Sequence, residues 1–449
     1  MKPTTMSGIF KAYDIRGVYG KDLTDELAYR IGRAYVTFAK CRKIVVARDI
    51  RPHSEPLFQN FVKGATEQGA DVIDLGHAST PMSYFANAHC GADGGVMITA
   101  SHNPGEWNGF KLCRANAVPI SGASGILEIQ QIVESGAFDA LPPQPGKVES
   151  LDILPAYKAH VQTFAHLKRP LHLAIDFANG MGIWEAQTLV GTGLTWDGLY
   201  DTPDGRFPNH EANPLKTETL AELQQLIREN PGKYAFGVAF DGDSDRAGFV
   251  DEKGEIVAMD LATALIAQDI LATRKGVIFY DLRSSRVVKE VIEAAGGTPM
   301  MSRVGHAFIK AQMREHDALF AGELSGHYYF KDNSTAESAA MATLALANMV
   351  SASGKTLSEL VAPLRKYYPS GEINSRVSGD PKVVLEKIKS LYGSKGNCFE
   401  LDGVSVEFDA WWFNVRCSNT EPLVRLNLEA TTQAEMERRR DELLALIRA

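Results

Sequence analysis

Along the first 140 residues, short continuous apolar runs alternate with stretches whose apolar positions recur at helical spacing. Thr24-Asp25-Glu26 opens one such stretch, with acidic side chains suited to the positive end of a helix dipole. LAYRIGRAYVTFAK then leads to the strand KIVVA (43–47). A helix over 54–68, a strand DVIDL (71–75), a helix over 81–90 and a strand GGVMIT (94–99) follow. Apolar strands separated by helices predict α/β layers around a largely buried sheet, where ligands collect at the carboxyl ends of strands. Ser101 falls at one of those ends.

The pattern then recurs. DALPPQPGKVESLD (139–152) is rich in proline and polar residues and reads as a linker. Beyond it come strands LHLAID (171–176), LTWDGL (194–199) and YAFGVAF (234–240). A third segment carries GVIFYD (276–281), TPMMS (298–302) and ALFA (318–321), with a helix after Ser334. Around Met341–Val350 the apolar stretch is too short to span a bilayer and reads as one side of a core helix. From about residue 368, EINSRV, VSVEF, WWFNVR and VRLNLEA predict strands before a closing helix, QAEMERRRDELLALIRA. Three α/β segments of similar size suggest duplication, although they share no clear sequence identity; the last segment is α+β.

Composition narrows the class. At 449 residues the chain exceeds one ordinary hydrophobic core, and 45% hydrophobic with 23% charged residues is globular. A formal net charge of −8 argues against a nucleic-acid or anionic-membrane partner. Five scattered cysteines without a CxxC pair, and an N-terminus without an apolar signal region, predict a cytoplasmic protein.

Four loops change the picture. In ITASHNPGEWNGFK (98–111), Ser101 precedes a His-Asn-Pro turn expected to be exposed at the sheet edge. The G-x-S-x-G elbow of a hydrolase is missing, and the adjacent His102 is not expected to place a ring nitrogen on the serine hydroxyl. In FDGDSDR, Asp241, Asp243 and Asp245 alternate with small residues after an apolar strand. Three carboxylates this close repel one another unless a cation joins them. An EF-hand is excluded, since Arg246 stands where that loop needs glycine and a strand precedes it. Mg2+ suits the set better, and Arg246 adds positive charge for a phosphoryl group. Beside such a loop, Ser101 is either a turn residue or a phosphoryl carrier. In GELSGHYYF (322–330), Glu323 and Ser325 are suited to sugar hydroxyls and His327 to proton transfer, though alone this is a glycine-rich turn. In RCSNTEPLVR (416–425), Arg416, Ser418, Asn419, Thr420 and Arg425 form either a phosphate cradle or a capped surface turn.

In this order the four loops resemble those of the α-D-phosphohexomutases: TASHNP the phosphoserine loop, DGDSDR the metal loop, GELSGH the sugar loop and RCSNTEP the phosphate loop. Arg16 in KAYDIRG and Lys111 in NGFK also match active-site positions. GELSGH and TASHNPGEWNGFK are most similar to the bacterial phosphomannomutase/phosphoglucomutase branch, although Arg283 in YDLRSSR stands where that branch suggests lysine. The resemblance implies an α/β multidomain fold: three related α/β domains with mixed sheets (1–145, 146–250, 251–366) and a C-terminal α+β domain (367–449) around a central cleft. It implies interconversion of hexose 1- and 6-phosphates of glucose or mannose, with Ser101 carrying the phosphoryl group. Hexose 1,6-bisphosphate would be the intermediate and activator. Mg2+ would lie on Ser101, Asp241, Asp243 and Asp245. Lys111, His306 and His327 are then the proton-transfer candidates, while His102 shapes or charges the loop and Arg246 neutralises the transferring group. Tyr13, Arg16, Arg283, Glu323, Ser325 and His327 would position substrate, and residues 416–425 would hold the phosphate that is not reacting. A phosphoglucosamine mutase, a Mg2+-dependent sugar phosphatase and a non-catalytic phosphosugar sensor are the alternatives. The expected partners are small phosphosugars, with neither nucleic acid nor membrane, and the expected state is a monomer whose last domain hinges.

Overall fold

The apolar runs become the inner strands of four sheets in a computed structural model that describes residues 8–417 and 423–449. The first sheet runs Ile15–Val18, Trp107–Arg114, Gly94–Ile98, Lys43–Arg48, Asp71–His77 and Val148–Ser150, with Val118–Pro119 alongside Trp107–Arg114. The second runs Ile256–Val257, Ala247–Asp251, Phe236–Phe240, Leu171–Asp176 and Leu194–Leu199. The third runs Thr298–Ser302, Val277–Asp281, Phe320–Gly322, Tyr328–Phe330 and Ala336–Glu337. The fourth is antiparallel throughout, in the order Tyr368–Arg376, Leu423–Ala430, Trp411–Cys417, Val404–Glu407 and Asn397–Phe399.

The first three sheets share a plan down to single residues. In each, the last parallel strand turns through a loop into an antiparallel neighbour: Gly94–Ile98 into Trp107–Arg114, Phe236–Phe240 into Ala247–Asp251, Phe320–Gly322 into Tyr328–Phe330. Those turns are the serine, acidic and sugar loops. The central parallel strand of each sheet also leads into an aspartate that accepts an N–H from two residues on. Arg51 N donates to Asp49 at 3.1 Å, Ala178 N to Asp176 at 2.9 Å and Arg283 N to Asp281 at 2.7 Å. Each pair forms an Asx turn, a local bond that frees the chain from the sheet at its carboxyl end.

The helix expected at Thr24-Asp25-Glu26 opens there, capped by Thr24, whose hydroxyl accepts from Leu27 N. Other expectations change. The supposed linker ends in Val148–Ser150, which pairs parallel with Asp71–His77 and extends the first sheet past residue 145. Ile256–Val257 likewise extends the second sheet past residue 250. Both pairings satisfy backbone groups of a strand that would otherwise lie at a sheet edge. The helix Ala339–Ser353 is buried on nearly every side rather than one, because the helices Met259–Thr273 and Gly182–Leu189 both pack on it. The antiparallel strands Ala247–Asp251 and Tyr328–Phe330 and the helix Pro381–Tyr392 were not expected.

One continuous apolar core links the first three domains, from Val45 and Met97 through Phe177 and Phe240 to Leu344. The C-terminal domain has its own core around Tyr392, Phe413, Leu426 and Leu443. Among the described residues no helix is long and apolar enough to cross a membrane.

Candidate active site

Ser101 follows an inner strand, not an edge strand, and is 1% exposed, so the expected exposed loop holds only for its outer residues. Its φ of 50° is left-handed, a conformation costly to most side chains and held here by surrounding bonds. Ser101 N donates to Thr99 Oγ1 at 2.9 Å, and its hydroxyl donates to Asp241 Oδ2 at 2.9 Å. His102 corrects a second expectation: the left-handed turn swings its Nδ1 to 3.2 Å from the serine oxygen. Burial, then Arg246 and Arg16, push that imidazole well below its usual pKa, so His102 shapes the loop without charging it.

Two arginines hold the loop from below. Arg16 donates to Ala100 O at 3.2 Å and Asn103 Oδ1 at 2.5 Å while paired with Asp14. Arg51, with no exposed side-chain surface, aims its donors at the carbonyls of Ser101 (2.8 Å), Asn103 (2.7 Å), Pro104 (2.6 Å) and Trp107 (3.0 Å), and at Asp49 (3.0 Å). Gly242 closes the loop from the other side. A Cβ there would lie 2.4 Å from Ser101 O, so only glycine lets the acidic and serine loops meet.

Asp241, Asp243 and Asp245 are buried and each brings an oxygen within 4.8 Å of the others. Burial, then Asp245 and Asp243, push the Asp241 carboxyl well above its usual range. Lys111 and His327 hold Asp245 well below it against the burial that opposes them. Lys111 Nζ bridges Asp243 and Asp245 at 2.6 Å each, and these carboxylates keep it charged despite its burial. Asp243 Oδ1 and Asp245 Oδ1 are buried without a hydrogen-bond partner among the described residues. Hard carboxylate oxygens converging this tightly fit a small divalent cation, and Ser101 Oγ adjoins the same set. Thr80, at the start of the helix Thr80–His89, braces the loop: Oγ1 donates to Asp243 Oδ2 at 2.6 Å and N to Asp243 O at 3.0 Å.

Above the cluster lies a cavity of about 640 Å³ lined by Tyr13, Arg16, Ser101, Lys111, Arg246, His306 and His327. His327 Nε2 stands 3.4 Å from Asp245 and its Nδ1 3.2 Å from Glu323 and 2.7 Å from Ser325 Oγ. Burial opposes its charge, yet Asp245 and Glu323 raise its pKa to about 9. Arg246 Nε lies 3.2 Å from the same Nε2 and 3.7 to 3.8 Å from Asp241 and Asp245, a second cation facing those carboxylates. His306 differs: burial, then Lys310 and Lys111, push it well below its usual value. Glu323 and Ser325 spend their polar atoms on His327, Gly305 N (3.1 Å) and Tyr329 Oη (2.5 Å).

Arg283 is anchored on Asp281 through Nε (3.1 Å) and Nη2 (2.7 Å), next to a second cavity of about 380 Å³. Arg416 and Arg425 come from adjacent strands of the C-terminal domain. Ser418, Asn419 and Thr420 lie outside the described residues. Sequence reasoning missed Arg51, Thr80 and Glu372. Arg51 carried a usable signal, since RDIR follows an apolar strand just as ASHN does; Thr80 and Glu372 carried none.

The chain matches four family models in order: phosphoglucomutase/phosphomannomutase α/β/α domain I over residues 7–140, domain II over 131–254, domain III over 259–367 and the C-terminal domain over 372–446. It is 41% identical to a phosphomannomutase of Methanocaldococcus jannaschii, over 98% of this chain and 97% of the relative. It is 38% identical to one of Escherichia coli, over 98% and 99%. A solved phosphoglucomutase/phosphomannomutase family protein of Burkholderia thailandensis superposes with a TM-score of 0.90 at 31% identity, covering 98% of this chain and 97% of that one. Four domains in one order, full-length kinship and a cavity shared among equivalent loops agree: the chain belongs to the phosphoglucomutase/phosphomannomutase family of α-D-phosphohexomutases and is an isomerase.

Proposed function

We propose that the enzyme interconverts the 1- and 6-phosphates of glucose or mannose through a phosphorylated Ser101 and a hexose 1,6-bisphosphate. The observation that carries this reading is the Ser101 hydroxyl, 2.9 Å from Asp241 at the floor of a cavity ringed by cations. The phosphoryl group moves from Ser101 Oγ to the free sugar hydroxyl: the Oγ–P bond breaks, a sugar O–P bond forms, the sugar hydroxyl loses its proton and Ser101 Oγ gains one. The bisphosphate turns around, and its other phosphate returns to Ser101. Charge develops on the oxygens of the group in transit, so catalysis rests on positioning and electrostatics. Lys111 and Arg246 supply that stabilisation from this chain, with His327 beside them. His306, kept neutral by burial, is a proton-transfer candidate on the wall of the same cavity. Asp241, Asp243, Asp245 and Ser101 would hold Mg2+, which when bound adds positive charge beside the phosphoryl oxygens. Arg416 and Arg425, with Arg283, hold the phosphate that is not reacting.

Intact mass and a coupled assay test the reading. The protein should carry one phosphoryl group and convert glucose 1-phosphate to glucose 6-phosphate, and Ser101→Ala should lose both properties. Release of inorganic phosphate without isomerisation would identify a phosphatase; binding without turnover, a sensor. Ratios of kcat/KM among glucose, mannose and glucosamine 1-phosphates decide the sugar.

A further inference from the structure

Three guanidinium groups from two domains converge on one carboxylate. Glu372 Oε2 lies 3.6 Å from Arg283 Nη1 and is paired with Arg416 Nη2, while Oε1 lies 3.3 Å from Arg425 Nη1. Arg283 belongs to the third domain; the other three residues belong to the fourth. Burial opposes the charge on Glu372, yet Arg416, Arg283 and Arg425 hold it ionised, below the usual carboxylate range. The strand Tyr368–Arg376 shifts register between Pro369 and Glu372, where Gly371 takes a φ of 67°. That bulge re-aims Glu372 toward the arginines, a common use of an extra residue in a strand. Arg416 is 5% exposed, and its Nε and that of Arg425 have no hydrogen-bond partner among the described residues. The set therefore retains buried donor capacity that Glu372 does not fill.

Arginine is ionised at every relevant pH, so three positive charges less the negative charges of Glu372 and of Asp281, on which Arg283 is anchored, leave a surplus of one. A phosphate monoester near neutral pH carries a charge of about −2. We propose that Glu372 is a positioning residue that acts through the arginines. It is an internal counter-anion that shares them with the non-reacting phosphate and limits how tightly that phosphate is held. This rests on the reading that these arginines form the cradle. A mutase needs such a limit: its bisphosphate must leave the cradle, turn and return by the other end, and without Glu372 a surplus of two charges, matching the phosphate, would retain it. The Arg283 contact also makes the limit depend on how the fourth domain sits against the third.

Glu372→Gln keeps size and shape while removing the charge. Inorganic phosphate, as a competitive inhibitor, should bind the variant about tenfold more tightly. KM should fall and kcat should fall with it, and rapid quench should show bisphosphate accumulating on the enzyme. A residue that only braced the strand would produce the opposite, with looser phosphate binding and higher KM. Glu372→Asp, which draws the carboxylate back by one methylene, should tighten phosphate about threefold. Whichever variant melts within a few degrees of wild type decides the matter, and phosphate binding no tighter than wild type overturns the proposal. Arg425→Gln separates the two readings. If it fails to weaken phosphate binding, the cradle itself is wrong, whereas tightening absent only from the Glu372 variants removes the counter-anion alone.

Discussion

Arg51 and Arg283 follow equivalent strand ends and each turns back onto the aspartate two residues before it, yet the two guanidinium groups serve different loops. In the first domain the donors left over bind four carbonyls of the serine loop; in the third they face Glu372. Arg51→Lys keeps the charge but offers three donors on a flexible stem, leaving buried carbonyls unpaired. We expect a loss of about 2 to 4 kcal/mol in stability and a large fall in kcat at nearly constant KM, read by denaturant titration and steady-state kinetics. A variant with wild-type kcat would show that the grip does not set the serine's geometry. Gly242→Ala meets Ser101 O at 2.4 Å and should displace the loop, costing about 1 to 3 kcal/mol and most of the activity. Arg283 was legible as a departure from lysine, and its geometry gives a reason. A planar fork holds Asp281 at two points and still reaches Glu372, which a single ammonium does not do.

At the level of elements, the sequence revealed the parallel strands and hid their antiparallel neighbours. KIVVA, LHLAID and GVIFYD are apolar because helices cover both faces, and such runs stand out. AGFVD and YYF are equally buried, but they follow loops whose polar chemistry masks the return of the chain. The turns between them were legible as chemistry; their equivalence was not, because it lies in pairing rather than in residue identity. A network at three helix starts was also invisible. Ser79, capping Thr80–His89, donates to Glu185, which also accepts from Tyr157 at 3.1 Å; Tyr157 reaches Ser338, the cap of Ala339–Ser353, at 3.3 Å. Burial pushes the Glu185 carboxyl up to about 7 despite these donors. Since its folded value exceeds the unfolded one, the folded state holds the extra proton. The associated stability is complete below about pH 4.5 and is lost as pH rises through 7. Glu185→Gln, which cannot titrate, should therefore gain stability relative to wild type between pH 5 and 8, by on the order of 3 kcal/mol. Parallel melting curves across that range would refute the assignment.

Across the whole molecule, one apolar core links three domains while the fourth keeps its own and meets the third through a few polar links. Arg286 is the principal polar link. Its side chain donates to the carbonyls of Asp409 (3.0 Å) and Trp411 (3.2 Å), and its N–H to Glu429 (3.1 Å), which also accepts from Trp412 Nε1 at 2.9 Å. Arg286→Ala should weaken docking by about 1 to 3 kcal/mol, enlarge the radius of gyration in small-angle scattering and raise KM. An unchanged scattering profile and unchanged KM would assign the link no part in closure. The strand Val148–Ser150 bears on something else: the order in which the chain is made. Until the ribosome has released residue 150, Asp71–His77 is an uncovered edge, able to pair with any nascent neighbour. A fragment ending at 145 keeps that edge bare and should aggregate, whereas one ending a few residues later carries its own cover. The stretch that read as a spacer would then serve as the first domain's guard during synthesis, and comparing the solubility of the two fragments tests it.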